Sequence, residues 1–423
     1  MKKNLAVPVS IGIILLSAVI GTIIAVAKNS SGTEDAKKAE SVSTGENVKA
    51  AAASNAAVVD TPMLTMGVGE KCRLNGLGGG TGSTVSCDRP EVAAVDAETG
   101  EMTAKAPGYA IVTVNSAGDQ KKYYVTVKKD PAKVKFCCDS VNLQLGEEAE
   151  FTLEPASGEE GFAVASYSCR DSGGVISVSE DGVVKAEAEG TAVLSGSVYN
   201  GKSAEVKITV LKNSGFTEKK TVADTVLQKQ AGWNYPAVTE VPSDSNVSCY
   251  GKSGDGRWIK VKYDNNYGWL YNKAFEDVKN YSDYTVETLP VMADDLLFDL
   301  GTDKRDIFDF VYKISYDTNG DDTVEKLCVE YFQRERGSCF HHAAMLCYLY
   351  NRCGYETLKV NGISALDGES EHSWCLSKTD NGWKHVDAQY FTIRDADDQF
   401  FIDDYSEFFN WDKKAFPAME TNG

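Results

Sequence analysis

Histidine is scarce in this chain of 423 residues: there are four, and all lie between positions 341 and 385. Basic side chains are short as well, with 43 Lys and Arg against 62 Asp and Glu, a formal charge of −19. A nucleic-acid binder needs a basic footprint, so no nucleic-acid partner is expected. The 281–423 segment alone holds 28 acidic and 13 basic residues, −15, and the plain consequence is a soluble, self-repelling surface. No C-x-x-C or H-x-x-x-H spacing occurs, which removes the usual zinc frameworks. DTNGDD at 317–322 begins like a calcium loop, but its twelfth position is Cys328 and Gly320 comes two positions early. No metal and no cofactor is expected.

Charge is missing altogether from 5–27, a run of 23 residues preceded by Lys2-Lys3 and followed by Lys28. That run can span a bilayer, and the lysine pair keeps its N-terminal side inside. Ala25-Val26-Ala27 also suits signal cleavage, but the stretch exceeds an ordinary signal-peptide core, which favours an uncleaved anchor over 1–28. In either case the body is expected outside the membrane: a single-pass protein, or a secreted one if cut after Ala27. Residues 29–58 lack aromatics and read as a disordered spacer. Eleven cysteines in an exported chain allow five disulfides and one free thiol, with the pairing open.

What is present begins with a repeat. GEMTAKAPGYAIVTV (100–114) aligns with GVVKAEAEGTAVLSG (182–196) at an offset of 82. Each copy opens on Gly-Glu (Gly69-Glu70, Gly146-Glu147) and closes on V-T-V or I-T-V. Short alternating strands with glycine turns predict two β-sandwiches, over 59–129 and 133–212. They resemble the group 2 bacterial Ig-like domains of surface proteins and adhesins. No chemistry is visible in them, and rigid spacers are the plain reading.

RWIKVKYDNNYGWLYNKAF (257–275) alternates apolar and polar residues around a tight Asp264-Asn265-Asn266 turn. Residues 213–280 resemble the bacterial SH3-like domain, a small barrel with a Trp-x-x-Val strand and a Gly-Trp pair, although the opening VLQKQAGWNYPAV departs from the family pattern. The resemblance implies an aromatic groove for cell-wall peptides and makes peptidoglycan a candidate partner. Trp233 and Tyr235 are the better exposed candidates for that groove, whereas Trp258 and Trp269 read as core.

The chemistry concentrates at 337–387. Ser338 is a good N-cap, Phe340, Ala343, Ala344, Cys347 and Tyr350 recur at helical spacing, and Gly354 stops the helix. Cys339 thus falls in the first turn, where the positive end of the helix dipole favours an anion. HSWCLSKTDNGWKHVD reads as a hairpin turning at Asn381-Gly382. A two- or four-residue loop puts His372 and Asp387 on one face; a three-residue loop breaks that parity. A cysteine at a helix start with histidine and aspartate on neighbouring strands is a nucleophile, a proton carrier and an orienting acid. The bland alternative is a core helix with a buried thiol and a structural histidine.

The set G337-S-C339, H372-S-W374 and G382-W383-K-H-V-D387 resembles the transglutaminase-like superfamily of papain-type folds, over about 300–400. The resemblance implies a C-terminal α+β domain (281–423) in which Cys339, His372 and Asp387 attack, carry the proton and orient. Gln333, six residues before Cys339, stands where papain-like enzymes keep an oxyanion glutamine, though exposure at a helix end explains it equally well. Trp374 is a further ligand-binding candidate. His385 is a second-rank base; of His341 and His342, one is expected exposed and the other packed, with no orienting acid near either. The expected protein is an anchored, multidomain surface enzyme: all-β Ig-like sandwiches and an SH3-like barrel, then a cysteine peptidase, amidase or cross-linking acyltransferase acting on a peptide or protein. The alternative is a non-catalytic cell-wall-binding or adhesion protein with an inactive fold of the same type.

Overall fold

The protein is described by a computed structural model covering residues 57–59, 61–75, 83–116, 119–156, 158–170, 173–275, 283–317, 320–380, 382–389 and 400–417. The expected anchor at 5–27, nearly all of the spacer, and Asn381 of the hairpin turn lie outside these. No helix among the described residues is long and apolar enough to cross a membrane.

The first unit is a two-sheet sandwich. One sheet orders Val58–Val59, Lys71–Leu74, Glu101–Ala104 and Ala93–Val95; the other orders Met63–Gly67, Asp119–Lys128, Gly108–Ser116 and Thr84–Cys87. Period-two alternation turns Leu64, Met66, Cys72, Met102, Val112, Val114, Val125 and Val127 inward between the sheets. The second unit repeats the plan. Ser140–Gln144, Ser203–Leu211, Gly190–Val198 and Ala165–Arg170 face a sheet of Glu148–Glu150, Val183–Ala186 and Ile176–Val178. The repeat extends to single backbone angles. Gly108 and Gly190 sit at φ +150° and +151°, and a Cβ at either would come within 3.0 or 2.8 Å of Val92 or Val175.

The two repeated glutamates do the same work in both copies. Glu70 accepts from the amide of Gly67 (3.1 Å) in its own turn and from Ala163 (2.8 Å) and Val164 (3.1 Å) in the next sandwich. Glu147 accepts from the amide of Gln144 (2.8 Å), then from the Tyr250 hydroxyl (3.1 Å) and Lys260 (2.9 Å) of the third unit. Each carboxylate therefore ties its own turn to the following unit. Burial is the cost: it pushes the Glu70 carboxyl up to about 7 despite the three amide donors.

The third unit is one six-stranded sheet, ordered Thr217–Lys220, Asn246–Lys252, Trp258–Tyr263, Asn266–Tyr271, Thr225–Gln228 and Ala237–Val241. It packs directly on the C-terminal part of the chain. Helix α1 (Leu289–Leu300) sits against it: the Trp233 indole donates to Asp294 (3.0 Å), and Phe298 lies 6.0 Å from the Tyr271 ring. Asp294 is fully buried and also receives Arg257 of the third unit (2.5 Å) and Arg352 (2.5 and 2.6 Å). A carboxylate with no water needs such donors, and here they come from both sides of the junction.

Beyond α1, the helices α2 (Lys304–Tyr312), α3 (Val324–Arg334) and α4 (Cys339–Arg352) precede an antiparallel sheet. Its order is Gly382–Val386, Glu371–Thr379, Thr357–Ser364 and Phe409–Asn410. Helix α4 is apolar on nearly every side because α2 and α3 cover one flank and the sheet the other. The first sandwich reaches this sheet too. Tyr109 meets Trp383 edge-on at 5.7 Å, and Thr126 donates to Glu356 (3.1 Å).

Candidate active site

The start of α4 is built by its own side chains. The Ser338 amide donates to Nδ1 of His341 (3.3 Å), so that ring carries its proton on Nε2 and donates to Glu330 (3.2 Å). Both nitrogens of His342 face carbonyl oxygens, of Ser338 (2.8 Å) and Ile314 (3.2 Å), while burial holds its pKa below the usual value. These two histidines brace the turn that carries the nucleophile candidate. Cys339 follows at the first helical position, 7 % exposed.

His372 comes from the strand Glu371–Thr379, where it pairs with Gly362. A Cβ at 362 would come within 2.7 Å of the Trp374 ring, so only glycine lets the indole lie over that strand. The hairpin has the two-residue loop: Thr379 pairs with Gly382 and Cys375 with Val386. Continuing that register by one step sets Trp374 opposite Asp387 and leaves His372 and Asp387 on a common face. Their side chains meet, with Nε2 of His372 2.6 Å from Oδ2 of Asp387. The Cys339 sulfur is the second group that acts on this imidazole, and it favours the charged ring. With Nε2 given to the aspartate, Nδ1 is the nitrogen left for sulfur.

The electrostatics of the site come from this chain of three. Burial works against an imidazolium at His372 and is the largest single influence. The charge and hydrogen bond of Asp387 overcome it, helped by the Cys339 contact, and the ring is pushed up to about 10. Asp387 is 1 % exposed, and burial raises its carboxyl. His372, the Tyr405 hydroxyl (2.5 Å) and the Gln389 amide (2.9 Å) reverse that and hold it below its ordinary value.

The other sequence-derived candidates lie elsewhere. Gln333 is exposed at the end of α3 and donates to the Tyr284 carbonyl (3.3 Å), with the short strand Arg336–Gly337 between it and Ser338. Trp374 is 1 % exposed, and its indole donates to Nδ1 of His385 (2.8 Å). That donor and burial make His385 a core residue, with its pKa lowered to about 4. Trp233 is not the exposed residue expected from the sequence. It is 8 % exposed, edge-on to Trp258 at 4.8 Å, because α1 covers it. Tyr235 is half-buried and donates to Glu154. Both line a cleft of about 650 Å³ between the third unit and α1, together with Gln228, Glu240 and Phe298. A cleft of about 920 Å³ lies among α1, α2 and α3. Neither is lined by Cys339, His372 or Asp387.

Sequence reasoning missed Tyr405 and Phe409. The Phe409 ring stacks on the His372 imidazole, centroids 4.6 Å apart and planes at 21°. The one available signal was the aromatic density of YSEFFNW (405–411) in an otherwise acidic tail. All eleven cysteines are described and none forms a disulfide. Among the described residues no cluster of three or more His, Cys, Asp or Glu could hold a metal, and Asp321 of the 317–322 stretch is taken by Lys359 (2.5 Å).

Comparison with known proteins supplies the family for this part. Residues 300–388 match the transglutaminase-like superfamily. No curated protein matches the chain. Among solved structures, domains 4 and 5 of the S-layer protein SbsC share 25 % identity, covering 33 % of this chain and 74 % of that one, with a TM-score of 0.17. Human protocadherin-24 EC1-2 shares 12 %, covering 31 % of this chain and 84 % of its own, at a TM-score of 0.15. The chain thus carries a transglutaminase-like domain behind a mostly β-sheet region.

Proposed function

We propose that the C-terminal domain is a thiol-dependent acyltransferase acting on a peptide or protein amide. The observation that carries this is the buried His372–Asp387 pair, with 2.6 Å between imidazole and carboxylate, on whose imidazole Cys339 at the start of α4 also acts.

In this reading His372 takes the thiol proton through Nδ1, and the sulfur of Cys339 bonds to the amide carbon. The carbonyl π pair moves to oxygen, where the amide N–H of Cys339 is available, since the first N–H groups of a helix have no partner within it. Collapse restores the carbonyl and expels the amine, which takes its proton from the imidazolium. The thioester is then attacked by water or a second amine; His372 accepts that proton and returns it to sulfur. Asp387 stays ionised, fixes the tautomer and stabilises the imidazolium. Water as acceptor makes the domain a peptidase or amidase, an amine makes it a cross-linker.

The charge-free run at 5–27 supports an anchored protein with its body outside the membrane. The aromatic cleft at Trp233 and Tyr235 supports the second reading, a binding protein whose third unit, SH3-like in its strand motif, takes a peptide such as that of peptidoglycan. Turnover of a glutamine- or amide-bearing peptide by the wild-type chain, lost in Cys339→Ala, supports the enzyme; a wild type as inert as the variant supports the binder.

A further inference from the structure

The family match ends at residue 388, but the site does not. Residues 400–417 return to the sheet as the strand Phe409–Asn410, which pairs antiparallel with Ser364 and Ile363. From this segment Tyr405, 1 % exposed, places its hydroxyl 2.5 Å from Oδ2 of Asp387, the same oxygen that meets His372. Its ring is wedged edge-on against Trp374 at 5.4 Å, and Phe409 lies flat on the imidazole. The far end is held by the first sandwich: Arg89 donates to the carbonyls of Phe416 (2.9 Å) and Lys414 (3.3 Å).

We infer that Tyr405 is a positioning residue of the catalytic set, carried on a strap that the first sandwich anchors through Arg89. The inference rests on the acyl-transfer reading above. A carboxylate sharing one oxygen between an imidazole and a phenol, with the Gln389 amide on the other, cannot rotate without losing a bond. Asp387 then sets the imidazole from its edge and Phe409 sets its plane, which aims Nδ1 at sulfur. A phenol with only a packing role has no need of that particular oxygen. The titratable groups that interact with this pair are Cys339 and His342 on α4, Cys375 and His385 on the sheet, and Tyr405 itself.

The test is alkylation of Cys339 by iodoacetamide in the full chain, followed by mass spectrometry from about pH 4 to 9. Tyr405→Phe keeps the ring and deletes one oxygen. A carboxylate without its phenol donor takes a proton at higher pH and, once neutral, no longer supports the imidazolium. The acid limb of the rate profile is expected to move up by about one pH unit, a tenfold loss at a fixed pH on that limb. Arg89→Ala, remote from the pair, is expected to shift the limb the same way by a smaller amount. An unchanged profile in Tyr405→Phe overturns the positioning role, and an unchanged profile in Arg89→Ala overturns the anchoring. If wild-type Cys339 reacts more slowly than exposed Cys169, the acyl-transfer reading itself fails, and this inference with it.

Discussion

Replacing Asp294 by alanine should loosen the joint between the third unit and the transglutaminase-like domain more than any surface change. The carboxylate is fully buried and receives Trp233, Arg257 and Arg352. Removing one partner of a buried ion pair costs about 3–5 kcal/mol, because the other charge is left in a poor solvent. The two arginine side chains are 22 % and 24 % exposed, so water recovers part of their solvation, and the lower end, about 3 kcal/mol, is the working figure. With a urea dependence of about 3 kcal/mol per molar, that displaces the unfolding midpoint by about 1 M. Tryptophan fluorescence is the assay, since Trp233 and Trp258 sit at the junction and report it directly. Asp299→Ala is the control: its bond to Lys273 is made from a side chain 61 % exposed, and such pairs are worth about 0–1 kcal/mol. A midpoint for Asp294→Ala within about 0.2 M of wild type, or equal to that of Asp299→Ala, refutes the idea that this carboxylate locks the two parts together.

Two further outcomes are expected. Because the folded-state pKa of Glu70 is raised from 4.5 to about 7, its contribution to stability is best below the unfolded value and is lost as pH rises from about 4.5 to 7. The loss amounts to about 3 kcal/mol; thermal melts at pH 5 and 7.5 should show it, and Glu70→Gln should flatten it, whereas an unchanged slope removes Glu70 as its source. Gly190→Ala should destabilise the second sandwich by about 1–3 kcal/mol through its φ of +151° and the 2.8 Å approach to Val175; a denaturation midpoint equal to wild type contradicts that.

What could be read from the chain was what local pattern controls. A serine before a helical run puts Cys339 in a first turn, and period two on either side of a two-residue loop puts His372 and Asp387 on one face. The offset of 82 between the sandwiches survives as matched strands, paired glutamates and a matched pair of glycine angles. Contacts between distant segments were not legible. Trp233 looked exposed because nothing near it in sequence covers it; its cover is α1, some sixty residues later. Gln333 was singled out by spacing alone, and spacing along a helix end does not decide which way an amide turns. Tyr405 and Phe409 reach the site through a strand pairing with Ser364 that no local signal announces.

If His372 and Asp387 activate the thiol of Cys339, competition between the thiols for iodoacetamide at about pH 7 reveals it. Exposure alone ranks Cys169, on an open strand, far ahead of Cys339, which is 7 % exposed. Activation reverses that order: Cys339 is expected to label first, with His372→Ala removing the advantage, Asp387→Asn reducing it severalfold and His385→Ala leaving it unchanged. Labelling of Cys169 ahead of Cys339 in the wild type, with no further loss in His372→Ala, contradicts it.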